Sequence, residues 1–273
     1  MGKDKHLKKA KRDRNDEFYT LYEDIERDLR HYEKDFSGKT IYCPCDDYRK
    51  SNFIRYFKRN FHRLHLKALL ASNYNIGEGA FKYKYDGTFE IAYPIPTGDF
   101  RTDEIEPMLR ACDMIVTNPP FSLLRAFFDR IKPYGKDILI VAPLPAAAYS
   151  NIFPYIANGS LRVDSKWHRE FETPGGERKR ISNQIYLTTL TPEKHYLEGS
   201  QVYSPEKYPK YDNYDAIEVK RSKDIPINYY GEMGVPISFL KWYDPREWEL
   251  LAAIEPSLNG KDLFKRLLVR RTQ

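Results

Sequence analysis

Short, almost continuous apolar runs alternate with amphipathic stretches between Lys39 and Leu190. The segments "KTIYCPC", "LKALLAS", "FEIAYPIP", "DMIVT", "KDILIVAPL" and "NQIYLTTL" read as strands, the third closing on Pro94 and Pro96. Between them, "SNFIRYFKRNFHRL" sets Phe53, Ile54, Phe57, Phe61 and Leu64 at helical spacing. "SLLRAFFDRI" does the same with Leu123, Leu124, Phe127, Phe128 and Ile131, and offers Ser122 as an N-cap. Apolar strands alternating with helices predict an α/β fold whose mostly parallel sheet is covered on both faces. After Thr191 the pattern changes to a stretch rich in Tyr, Pro and charge, read as a smaller, loop-rich lobe. Within it "DPREWELLAAI" predicts a short helix, and "DLFKRLLVRR" a last strand or helix. There is no internal repeat and no low-complexity segment.

Composition changes this picture in three places. A chain of 273 residues accommodates one large domain with a smaller lobe. Its net charge of +6 is concentrated: Lys3 to Arg14 holds seven Lys or Arg, among them Lys8, Lys9, Lys11 and Arg12, against two Asp. Such a run is either a solvated helix face or an arm that grips phosphates. The 22 tyrosines suit polar binding surfaces equally with a plain compositional bias. Three cysteines, an odd and small number, imply a reducing compartment, and "CPC" lacks the second pair a zinc site needs, so no metal is expected. No apolar stretch approaches 18 residues, and a cytoplasmic protein without membrane contact is expected.

The stretch that carries chemistry follows "DMIVT". Asn118, Pro119, Pro120 and Phe121 end an apolar strand with an amide, two residues lacking backbone N–H groups, and an aromatic ring. In open α/β sheets, ligands bind at the carboxyl ends of strands. The Asn118 side chain and the Pro119 carbonyl could accept the two hydrogens of an aromatic amine while Phe121 stacks on its ring. The bland alternative is a Pro-Pro strand terminator.

Asn118-Pro119-Pro120-Phe121 resembles the catalytic motif of amino-methyltransferases that use S-adenosylmethionine. The segments "KRDRNDEFYTLYEDIERDL" (11–29), "GKTIYCPCDDYRKSNFIRYFKRNF" (38–61) and "INYYGEMGVPISFLKWYDPREWELL" (227–251) narrow the likeness to the EcoRI-type adenine-specific DNA methyltransferases. It spans nearly the whole chain in the same order. It implies a Rossmann-like methyltransferase sheet with a C-terminal target-recognition lobe. The expected domains are a basic arm and cofactor segment over 1–33, a catalytic core over 34–193 and a DNA-binding lobe over 194–273.

The resemblance also distributes roles. Phe18, Tyr19 and Thr20 match an N-terminal segment that binds the methionine end of the cofactor. Asp46 and Asp47 stand where an acid follows the first strand, though the usual glycines are absent and the pair could equally cap the next helix. Asn73 takes the place of the acid that holds the ribose hydroxyls, accepting one hydroxyl hydrogen. Asp99, in "PTGDFRTDE", matches the acid near the cofactor's adenine, or else marks a polar turn. Trp167, Phe171 and Tyr186 are aromatics in the region that meets the target base. Arg178, Lys179 and Arg180, with Lys220 and Arg221, are expected on DNA phosphates.

The function implied is methyl transfer to N6 of a flipped-out adenine in double-stranded DNA, by a monomer. A cognate restriction endonuclease acting on the same site is the further partner, in a bacterial or phage-infected cytoplasm. Two alternatives stand beside it: methylation of RNA adenine, and a degenerate DNA-binding homologue without catalysis, motivated by the missing glycines and ribose acid.

Overall fold

Continuous burial along the central strands shapes the main sheet of the computed structural model, which describes residues 19–73, 79–165, 170–173, 176–193, 195–197 and 199–272. The chain divides into two compact units, Met1–Pro143 with Asp164–Pro192 and Leu144–Val163 with Glu193–Gln273.

In the first unit the strands in chain order are β1 (Tyr19–Thr20), β2 (Thr40–Cys43), β3 (Ala68–Asn73), β4 (Ala80–Tyr85), β5 (Glu90–Ile95), β6 (Met114–Thr117) and β7 (Asp137–Pro143). They are followed by β8 (Arg162–Asp164), of which only Asp164 belongs to this unit, β9 (Glu170–Glu172), β10 (Arg178–Arg180) and β11 (Gln184–Thr188). Eight of them form one sheet in the order β5-β4-β3-β2-β6-β7-β11-β8. Its centre, β3-β2-β6-β7, is parallel. Every residue of β2, β3 and β6 is buried, so both faces of the centre are covered.

The helices Asn52–Arg59 and Leu124–Ile131 lie between parallel neighbours in the chain, as crossover helices. The first sinks Phe53, Ile54, Tyr56 and Phe57 into the main core, with Ile41, Leu69, Val116 and Val141. The fold is therefore α/β and Rossmann-like, as the sequence predicts.

Three expectations need correction. The sheet is mixed rather than mostly parallel. β4 and β5 pair antiparallel at one edge, and β11 runs antiparallel to β7 at the other. β5 is largely exposed and contains Pro94, which an edge strand tolerates because no ladder donor is needed there. Ser122 does not cap a helix: Phe121–Leu123 forms a 3-10 turn, and the α-helix begins at Leu124 without a side-chain cap. Pro120 is extended (φ −56°, ψ 126°), so the helix starts only after that turn.

The third correction lies in the second unit. "DPREWELLAAI" is a strand, β14 (Trp248–Ile254), not a helix. It joins a four-stranded sheet in the order β12-β13-β17-β14, with β12 at Ile217–Glu218, β13 at Met233–Val235 and β17 at Arg266–Arg271. The hairpin β15–β16 pairs Ser257–Leu258 with Lys261–Asp262. β14 pairs antiparallel with β17, with a bulge between Leu250 and Ala252. Trp248, Leu250 and Ile254 are buried while Glu249 and Leu251 face out. Cross-strand packing thus overrides the helix propensity of Leu, Ala and Glu.

Candidate active site

β2 pairs with β3 on one flank and with β6 on the other, so strand order reverses between β2 and β6. A crevice opens at the carboxyl ends of such strands. Here it holds a cleft of about 850 Å³, open solvent included.

Asp46 follows the turn after β2 and is buried. Its Oδ1 accepts the Ser51 hydroxyl at 2.5 Å, and its Oδ2 accepts Thr117 Oγ1 at 2.5 Å. Burial, with a smaller contribution from the like charge of Asp47, pushes its carboxyl up to about 6 against those two hydrogen bonds. Asp47 behaves differently. Burial works against its charge too, but the Arg49 side chain and backbone N–H hold it below the ordinary carboxylate value. One acid is poised near neutrality and its neighbour is firmly ionised.

Neither aspartate caps the next helix. Ser51 does, accepting from the backbone N–H groups of Phe53 and Ile54. The Asp47 carbonyl closes the intervening turn by accepting from Lys50 and Ser51. Hydrogen bonds of this turn therefore organise the loop after β2 without glycines. Among the described residues none of the positive-φ glycines lies between Cys43 and Ser51.

Thr20 is buried beside this loop. Its strand, β1, pairs with β9, and β9 with β10, which puts Thr20, Phe171 and Lys179 in register across three strands. The Thr20 carbonyl accepts Asn52 Nδ2 at 2.9 Å, and its hydroxyl accepts Asn118 Nδ2 at 3.4 Å. Asn52 has no counterpart in the sequence reading. It follows a serine at a helix start, and nothing local to the pattern points across 32 residues to Thr20.

Most of the predicted catalytic and cofactor residues converge here. Tyr19, Thr20, Asp46, Asp47, Asn73, Asp99, Asn118 and Pro120 all line the cleft. Asn73 presents the other end of its amide from the one expected. Its Oδ1 accepts the Phe81 backbone N–H at 3.1 Å, and its buried Nδ2 has no partner among the described residues. The amide end left without a partner is a donor, not an acceptor. Asp99 is clasped by Arg101, whose Nε and Nη2 reach both oxygens and hold the acid below its ordinary value against partial burial.

Pro119 and Phe121 are not in the cleft lining. Pro119 is buried, and Phe121 is half-buried against the main core cluster. Phe171 and Tyr186 are fully buried core residues, which removes both from the surface available to a base. Arg178, Lys179 and Arg180 are all exposed along β10, with Arg178 3.8 Å from Glu170. In the second unit Lys220 is exposed, and Arg221 is paired with Asp224 at 2.6 Å. Phe18, Lys8, Lys9, Lys11, Arg12 and Trp167 lie outside the described residues. Among the described residues no group of three His, Cys, Asp or Glu could hold a metal ion, and no helix is long and apolar enough to cross a membrane.

Comparison with known proteins narrows what this site is. A family model described as adenine-specific methyltransferase EcoRI matches residues 6–95 and 91–270. The type II methyltransferase M.EcoRI of Escherichia coli is 35% identical over 97% of this chain and 96% of its own length. M.MgeORF184P of Mycoplasma genitalium is 34% identical over 95% of this chain and 90% of its own, and M.MpnI of Mycoplasma pneumoniae is 32% identical over 95% and 89%. No solved structure matches. With a switch-point cleft that gathers Asp46, Asn118 and Thr20, and similarity running from end to end, this chain belongs to the EcoRI family of adenine-specific methyltransferases.

Proposed function

We propose that the protein transfers a methyl group from S-adenosylmethionine to N6 of an adenine flipped out of double-stranded DNA. The observation that carries this reading is the position of Asn118. It stands at the carboxyl end of β6, in the same cleft as the two aspartates that follow β2.

The cleft's residues fit the cofactor. Asp46 and Asp47 offer carboxylates to an α-ammonium group, and the buried Asn73 Nδ2 offers a donor to a ribose oxygen. Bound there, the cofactor supplies an electrophilic methyl group on a sulfonium leaving group. The rest falls to the chain. An exocyclic adenine nitrogen is a poor nucleophile because its lone pair is delocalised into the ring. Asn118 and the Pro119 carbonyl would each accept one of its hydrogens, favouring a pyramidal nitrogen with an aimed lone pair. That carbonyl belongs to Pro119, which is itself buried but stands between Asn118 and Pro120, two residues that line the cleft. The prolines carry no N–H to compete with the substrate's donors.

The target atom is inaccessible to this geometry in a paired base, so the base must leave the stack. The exposed basic strand β10 shares a sheet with Thr20, which supports a phosphate track beside the site. The chemistry is consistent with a monomer. Expression in a methylation-free bacterium, with modification-sensitive sequencing of its DNA, tests the proposal. N6-methyladenine in one motif is expected. Unmodified host DNA, with labelled methyl groups entering structured RNA instead, would replace DNA by RNA as substrate.

A further inference from the structure

The hydrogen bonds around the cleft form a closed circuit. Thr117 donates to Asp46, and Ser51 donates to the other oxygen of Asp46. Asn52, next in the chain to Ser51, donates to the Thr20 carbonyl. Asn118, next in the chain to Thr117, donates to the Thr20 hydroxyl. The circuit thus leaves Asp46 by two routes and meets again at Thr20.

Its geometry bears on one problem that the chemistry poses. An asparagine amide has an accepting and a donating end, and only the accepting end can take a hydrogen from an amine. An Asn118 amide turned by 180° would aim a donor at a donor. We infer that Thr20 is a positioning residue which, held in place by Asn52, takes the Asn118 Nδ2 hydrogen and so turns the amide oxygen toward the substrate. The inference rests on the function proposed above, but it assigns Thr20 a role beyond contact with the cofactor and gives Asn52 a role of its own.

Several features make the arrangement suited to this task. Thr20 is 2% exposed, so water does not compete well for its hydroxyl. Its main chain is anchored twice, by pairing with Phe171 in β9 and by the 2.9 Å bond from Asn52. Asn52 begins the helix Asn52–Arg59, whose N-terminus is fixed by the Ser51 cap. A threonine hydroxyl can also donate to an amide oxygen, so its own proton must go elsewhere. An anionic ligand in the cleft that accepted this proton would leave Thr20 as acceptor only, and cofactor binding would then lock the catalytic amide.

The test compares Thr20→Val, Thr20→Ser and Asn52→Ala with the wild type, reading single-turnover methylation, S-adenosylmethionine affinity by calorimetry, and side-chain amide exchange of Asn118 by NMR. Thr20→Val should slow single-turnover transfer about 10- to 100-fold, as misplacement of a catalytic group does. It should also speed exchange of the Asn118 amide hydrogens. Thr20→Ser should restore both to within about threefold, and Asn52→Ala should fall between. Transfer by Thr20→Val at the wild-type rate would overturn the inference. So would equal impairment in Thr20→Ser, or a loss confined to cofactor affinity with unchanged amide exchange. An inactive wild type would instead sink the proposed function, while the exchange measurement would still decide the role of Thr20.

Discussion

The carboxylate of Asp46 accepts the hydroxyl of Thr117 at 2.5 Å, joining the loop after β2 to the last residue of β6. The two lie 71 residues apart in the chain, and both are buried. Asn118 is the next residue, so this bond fixes the strand end from which the proposed catalytic amide projects.

Thr117→Val should therefore cost more than its size suggests. The substitution leaves volume nearly unchanged but removes a donor from a buried carboxylate oxygen. A loss of about 1–3 kcal/mol is expected, read as a lower denaturant midpoint. A midpoint equal to the wild type would mean that water or another side chain replaces the bond.

The raised carboxyl of Asp46 gives a pH dependence with a definite sign. Its pKa moves from 3.8 to about 6 on folding, chiefly through burial. The charged form is thus disfavoured in the fold. Stability from this group is undiminished below about pH 4, declines as pH rises toward 6, and is lower by up to about 3 kcal/mol above that. Binding a cationic ammonium group favours the ionised acid. Cofactor affinity should then be roughly tenfold weaker at pH 5 than at pH 7, with proton release on binding at the lower pH. Calorimetry in buffers of different ionisation enthalpy checks both, and Asp46→Asn should abolish the slope.

Asn118→Ala should retain cofactor binding and lose transfer by at least about 10²-fold, since it removes an acceptor needed only as the amine is attacked. Comparable activity in this variant, assayed with labelled cofactor on duplex DNA, would remove the proposed mechanism.

Phe121 is half-buried against the core in this structure, not facing the cleft. A stacking role requires the ring to turn toward a captured base. Phe121→Ala should weaken capture of 2-aminopurine in a duplex, seen as reduced fluorescence enhancement. It should destabilise the fold by less than the roughly 3–5 kcal/mol of a fully buried phenylalanine. Unchanged fluorescence would leave Phe121 a packing residue alone.

In the second unit, Arg266 pairs with the buried Glu218 at 2.8 Å, and Glu218 also accepts the Tyr211 hydroxyl. Arg266→Met should leave that carboxylate uncompensated, at a cost of about 3–5 kcal/mol. A thermal melt that resolves the second unit reads it directly. Gly234→Ala should be severe for a related reason, because a Cβ there would run into the Tyr211 ring.

The amino-acid pattern by itself determined the central strands, the crossover helix Asn52–Arg59 and the Asn118–Phe121 corner. These depend on local periodicity and on proline's missing N–H, which a sequence displays directly. The same pattern gave no direction to the edge strands, because an apolar run pairs equally well either way until its neighbours are placed. It read β14 as a helix because Leu, Ala and Glu favour one, and only pairing with β17 decided otherwise. The site divides along the same line. Its residue types were legible, but the bonds from Thr117 to Asp46, Asn118 to Thr20 and Asn52 to Thr20 span 71, 98 and 32 residues. Such bonds exist only once the sheet brings the carboxyl ends of β2 and β6 together, and they orient the Asp46 carboxylate and the Asn118 amide.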